Sequence, residues 1–173
     1  MKNLREDYKR YKGFCGGSGV QCLRVPSFMA VVTFRFSSWV FRRSKLSQIF
    51  LRPLTWSMQF YTRAFLGIQI SPAADIGPGL YIGHFGGVII SGRAKIGANV
   101  SLSQGVTIGS SLGPNAQAPI IGNRVYIGPG AVLYGGISIG DGAKIGANTV
   151  IHKDIPPNRI AVAWPGFKLL DGS

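Results

Sequence analysis

The sequence predicts a mainly β fold, a parallel β-helix of six-residue repeats preceded by an α-helical segment. Two observations carry this. From Ile70 an aliphatic residue recurs at every sixth position, usually with glycine after it. Residues 1–66 hold four glycines and residues 67–173 hold 21, and the apolar spacing of that first part is helical. The chain divides into residues 1–66, a helical region; 67–159, the repeat domain; and 160–173, a tail.

The first part reads as three helices. Residues 3–12 form a short charged helix ended by Gly13. Ser27, with Pro26 before it, is placed to cap a second helix running to about Arg43, along which Phe28, Val31, Val32, Arg35, Trp39 and Arg42 fall near helical spacing. A third covers Lys45 to Phe65, with Pro53 expected to kink or break it. Thirteen of the 19 aromatic residues lie in this part. Such stripes suit a packed helical cap, and with the arginines among them they also suit contact with a membrane surface.

The repeat begins Ile70-Ser-Pro-Ala-Ala-Asp, Ile76-Gly-Pro-Gly-Leu-Tyr, Ile82-Gly-His-Phe-Gly-Gly. Two extra residues, Val88 and Ile89, precede Ile90-Ser-Gly-Arg-Ala-Lys. The register breaks over Ser110 to Pro119 and restarts at Ile121, running to Ile151. An aliphatic residue every six points into a narrow core, and glycine beside it permits a tight corner. Three sides of six close one coil of 18, and coils stack at about 4.8 Å. A coil buries its apolar face only against its neighbours, so several are required.

A regular solenoid has no need of histidine, so His84, just before the first irregularity, is the candidate for chemistry. One coil plus the two-residue insertion carries position 84 to 104, which stacks Gln104 on His84. Gly109 and Ser110 follow in the next turn, offering backbone N–H groups to a thioester or oxyanion. The Ser110–Pro119 segment is long enough to project as a loop.

With these residues in view, the chain resembles the hexapeptide-repeat acyltransferases, and within them the serine acetyltransferase family, most closely its polysaccharide-biosynthesis branch of colanic-acid and capsule type O-acetyltransferases. The resemblance rests on Leu4-Arg-Glu-Asp-Tyr, His84-Phe-Gly-Gly-Val-Ile-Ile-Ser-Gly92, Gln104-Gly-Val-Thr-Ile-Gly109, Ile127-Gly-Pro-Gly-Ala131, Ile145-Gly-Ala-Asn-Thr149, Ile155-Pro-Pro-Asn158 and Val162-Ala-Trp-Pro165. It implies a left-handed β-helix, a homotrimer with active sites between subunits, and acetyl-CoA as cosubstrate. It also implies that His84 is the base that deprotonates an acceptor hydroxyl. CoA contacts project onto Gly109, Ser110, Gly128, Ala131, Gly146 and Ala147, with Lys144 and Lys153 facing its phosphates.

Departures from the family pattern point at the acceptor. The Asp that orients the histidine is replaced by Gln69, the Asp before the histidine by Gly83. The Arg-His pair that meets the serine carboxylate is replaced near Gln117-Ala118. The expected acceptor is therefore a neutral sugar hydroxyl, with serine O-acetylation and a non-catalytic scaffold as the alternatives.

The net charge is +13, and residues 1–66 hold twelve Lys and Arg against Glu6 and Asp7. That basic surplus fits anionic lipid or a phosphorylated ligand. No nucleic-acid reading motif accompanies it. The two histidines, His84 and His152, are more than three coils apart, so no metal site is expected. Cys15 and Cys22 read as reduced thiols of a cytoplasmic protein. The uncharged stretch Val25 to Phe34 is far short of the roughly 20 residues that span a bilayer.

Overall fold

The computed structural model describes residues 2–14 and 24–163. Cys15, Cys22 and the end of the tail fall outside them. Among the described residues three helices, α1 (Lys2–Phe14), α2 (Pro26–Phe41) and α3 (Lys45–Leu66), precede fourteen short strands running from β1 (Ile68–Ile70) to β14 (Ile160–Ala161).

All strand pairs are parallel, and every third strand stacks on the same face. One sheet is β1-β4-β7-β10-β13, the second β2-β5-β8-β11, the third β3-β6-β9-β12-β14. The chain therefore winds as a three-sided prism. We call the sheets first, second and third in the order the chain meets them. The basic coil is 18 residues: Tyr126 (β9, Tyr126–Ile127) pairs with Lys144 (β12, Lys144–Ile145), and Val132 (β10, Val132–Tyr134) with Val150 (β13, Val150–Ile151). Tyr81 pairs with Ser101, twenty residues on, which places the two extra residues in the turn after β3 (Tyr81–Ile82). Ser101 pairs with Tyr126, twenty-five on, so the Ser110–Pro119 segment adds seven. Lys144 pairs with Ile160, only sixteen on, so the last turn is two residues short.

Most repeats bury two side chains. The aliphatic residue of the sixfold pattern points inward, as in Ile82, Ile108 and Ile127, each 0 % exposed. In most repeats the residue four positions on also points inward, as with Leu80, Val100, Val106 and Val125 and the smaller Ala74, Ala94, Ala131 and Ala143. Where the chain turns from the third sheet to the first, each coil has a left-handed position, Gly87, Gly105, Gly130 and Asn148, and Gly67 holds the same place before β1; their φ values run from 54° to 72°. At Gly67 a Cβ would also stand 2.9 Å from Gly87 N, so only glycine fits there.

The helices close the first coil. A β-helix leaves the backbone of its first coil unpaired, and here polar side chains answer it. Asp7 accepts from Leu80 N at 2.8 Å, Arg35 donates to the carbonyls of Ile76 and Gly77 at 2.6 Å each, and Arg10 donates to Gly79 and Val100. Two expectations change. Ser27 is not the cap of α2: Val25 holds that position without a side-chain bond, and the Ser27 hydroxyl donates instead to Ile82 O at 2.7 Å. Pro53 neither breaks nor ends α3, which runs through it to a left-handed Gly67 cap. Pro53 sits on the exposed side, where water can reach the carbonyl that its missing N–H leaves free.

Candidate functional site

The turn after β3 carries the extra residues, and it lifts His84 and Phe85 out to solvent. Its backbone is nevertheless fixed on three sides. Gly83 N donates to Leu102 O at 2.9 Å, and Gly105 N donates to Gly86 O at 2.8 Å, tying the turn to the coil below. Above it Gly67 packs on Gly87. On the helical side, Ile82 N donates to the Tyr11 hydroxyl at 3.0 Å, and Ile82 O accepts from Tyr11 and Ser27. Tyr11 is fully buried, and burial raises its pKa well above that of a free phenol, so the hydroxyl stays neutral and serves as both donor and acceptor. An exposed imidazole is thus held two residues beyond a clamped main chain.

The strand register pairs Ile82 with Leu102, and Gln104 follows Leu102 by two residues as His84 follows Ile82. Gln104 is exposed, and its carbonyl accepts from Gly130 N at 2.9 Å. The same column passes through Pro129 to Ala147 in later coils. Gln69, the position matched to the orienting carboxylate, is on the first sheet. It lies at the middle of β1, outward, and lines a cleft under α3 with Gln59, Arg63, Ser71 and Thr33. Among the described residues no hydrogen bond joins Gln69 or Gln104 to the His84 ring.

The residues projected onto CoA separate into two groups, one along each edge of the first sheet. Gly128, Gly146 and Ala147 lie on the His84 side. Gly109 ends β7 (Thr107–Gly109) at the opposite edge, Ser110 follows it, and Lys153 comes just after β13 on that same edge. Lys144 faces outward from the third sheet between Tyr126 and Ile160. Ala131 differs from expectation: its side chain is buried, its N–H donates to Gly128 O and its carbonyl accepts from Thr107 N. With both backbone groups occupied and its methyl in the core, it offers a ligand nothing polar. The Ser110–Pro119 loop projects, with Leu112 99 % exposed, and is pinned at its base by Gln117 N donating to the Ser111 hydroxyl at 2.9 Å.

Sequence reasoning missed the brace behind His84. Neither Tyr11, Asp7 and Arg35 nor the Ser27 hydroxyl is assigned to the first coil by the sequence pattern. One signal was there: Glu6 and Asp7 are the two acids of a segment carrying twelve bases, and a lone acid beside a tyrosine in such a segment needs a partner when buried. His152 is exposed, its ring 6.3 Å from that of Tyr134, on the edge away from His84. Among the described residues no group of three His, Cys, Asp or Glu stands close enough to hold a metal.

Known proteins bear on this arrangement. Residues 118–153 match the family model for the bacterial transferase hexapeptide of six repeats. A serine acetyltransferase of Helicobacter pylori is 37% identical over 141 residues, covering 81% of this chain and 79% of that protein. A serine acetyltransferase of Mycobacterium tuberculosis is 37% identical over 142 residues, 82% of this chain but 59% of its own, so the chain spans about three fifths of that relative. The crystal structure of a Brucella abortus serine acetyltransferase in complex with coenzyme A superposes with a TM-score of 0.80 at 27% identity, covering 95% of this chain and 65% of that one. The prism is a left-handed parallel β-helix, and the chain belongs to the serine acetyltransferase family of hexapeptide-repeat transferases.

Proposed function

We propose that the protein transfers an acetyl group from acetyl-CoA to a hydroxyl, with His84 as general base. The observation that carries this is the exposed imidazole on a clamped two-residue bulge, in a β-helix of this family. The acceptor oxygen attacks the thioester carbonyl as His84 takes the hydroxyl proton. The tetrahedral adduct collapses, the C–S bond breaks, and the imidazolium returns the proton to the departing sulfur. The products are an acetyl ester and free CoA thiol. Backbone N–H groups near Gly109 and Ser110 are the proposed stabilisers of the oxyanion.

The two-edge distribution of the CoA candidates supports a shared site. One protomer presents Gly128, Gly146 and Ala147 on one edge and Ser110 and Lys153 on the other. Neighbouring protomers of a closed trimer would each supply one edge to a common groove. Light scattering is expected to give about three times the chain mass; an active monomer would overturn the shared site.

The comparisons favour L-serine as the acceptor, because the relatives are named serine acetyltransferases. The expected polysaccharide subtype finds no such support. One observation keeps a saccharide as the second reading: Gln69, Gly83 and Gln117-Ala118 leave this chain without the charged residues that the family pattern places around an amino acid. CoA release assayed with L-serine and with a panel of neutral glycans separates the two. On the serine reading turnover saturates with L-serine alone; on the saccharide reading only a glycan supports it. No CoA release above hydrolysis with any hydroxyl acceptor would overturn the proposal as a whole.

A further inference from the structure

We propose that the outer face of α3 docks on an anionic lipid bilayer, lying in its interfacial plane. The helix is built inside out for a water-soluble protein. Its buried residues are Thr55, Thr62 and, at its C-terminal end, Leu66, and the buried residues of α2 include the similarly small Ala30, Thr33 and Ser37. Most of its large apolar residues face away. Leu46, Phe50, Leu54, Tyr61 and Phe65 follow steps of four, four, seven and four, which is one face of a helix, and their exposures run from 50% to 80%. Ile49 and Phe60 widen that face and are exposed too. Small residues in the seam and aromatic ones outside is the arrangement of helices whose surroundings are apolar.

Charge selects the occupant. Lys45, Arg52 and Arg63 are seven and eleven residues apart, so they form a single stripe along one border of the apolar face. Trp56, 65% exposed, stands between that stripe and the apolar residues, where an amphipathic ring belongs at a lipid–water boundary. Neither α2 nor α3 contains an acid. A second copy seated face to face would bring two sets of cations together with nothing on either helix to answer them. A surface of anionic headgroups over acyl chains answers both the stripe and the face. Among the described residues no helix is long and apolar enough to cross a membrane, so the helix lies on the bilayer. It ends at Gly67, against the turn that carries His84, which sets the candidate site at the edge of the docked surface.

The probe is vesicles of phosphatidylcholine with about one third phosphatidylglycerol, compared with phosphatidylcholine alone, at about 50 mM and about 500 mM salt. The full chain with Trp39→Phe and Trp164→Phe leaves Trp56 as sole reporter. Its emission is expected to shift to the blue on anionic vesicles at low salt, and the partition coefficient to fall at least about tenfold in Phe50→Glu/Leu54→Glu and in Lys45→Glu/Arg52→Glu. These positions are exposed, so the fold tolerates the changes, which circular dichroism checks. Equal partition onto the two vesicle types, or none at low salt, would overturn the proposal. So would a Phe50→Glu/Leu54→Glu protein that binds vesicles as before, or one whose assembled mass changes while the parent ignores lipid; the latter would make the face a subunit contact. None of these readouts involves acetyl transfer, so they stand or fall separately from the proposed activity.

Discussion

Replacing His84 by alanine is expected to lower kcat by about 10²–10⁴, the usual worth of a positioned general base. A hydroxyl is a weak nucleophile at neutral pH, and the attack needs a base within hydrogen-bond reach. The described residues offer two imidazoles, and only His84 stands on an irregular, main-chain-clamped turn beside the glycine column where coils approach closely. His152 stands on the other edge against Tyr134. Affinity for acetyl-CoA, measured by calorimetry, is expected to change little in His84→Ala, because the proposed CoA residues lie in later coils and along the far edge. His152→Ala is expected to keep near-parental kcat. A His84→Ala enzyme with most of its kcat, or one inactive only because it no longer binds acetyl-CoA, would remove His84 from the proposed role. Because the proton transfer is common to any hydroxyl acceptor, this result is independent of whether L-serine or a saccharide is used.

The repeat domain was legible because its code is local and redundant. Ile76, Ile96 and Ile121 share one sheet and one inward direction, and a period of six states that without reference to anything distant. Even the irregularities can be counted: the two-residue insertion appears in the register that pairs Ile82 with Leu102, twenty residues on. The cap of α2 and the role of Gln69 were less accessible. Ser27 has the chemistry of a cap, but a carbonyl left open by the first coil, 55 residues away, competes for its hydroxyl and wins. Gln69 occupies the matched position of an orienting carboxylate; spacing places it on β1 but does not say that it lines the cleft under α3. The apolar face of α3 was visible as an aromatic stripe, but a helical wheel cannot say which side is in; the buried threonines do.

The helical cap makes a second large effect measurable. Replacing Arg35 by alanine is expected to cost about 3–5 kcal/mol of stability, the typical penalty for leaving a buried charge without its partner. Asp7 is fully buried and Arg35 nearly so. The guanidinium donates to Asp7 through Nε at 2.7 Å and Nη2 at 3.1 Å, and to the carbonyls of Ile76 and Gly77. Removing it strips the carboxylate of all but the Leu80 N–H and leaves two first-coil carbonyls without that donor. Lysine restores a charge but not the fork, so Arg35→Lys is expected to fall between parent and alanine. Urea unfolding at one fixed protomer concentration reads the difference, a condition that matters if the chain is oligomeric. The double change Asp7→Leu/Arg35→Met removes both charges at once and is expected to lose less than Arg35→Ala alone, since the dominant cost is the orphaned carboxylate rather than the lost pair. An Arg35→Ala protein within about 1 kcal/mol of the parent would show that water or a neighbouring group reaches Asp7 in the folded state, and that the cap is held by its apolar contacts, Tyr11 and Phe28 first among them.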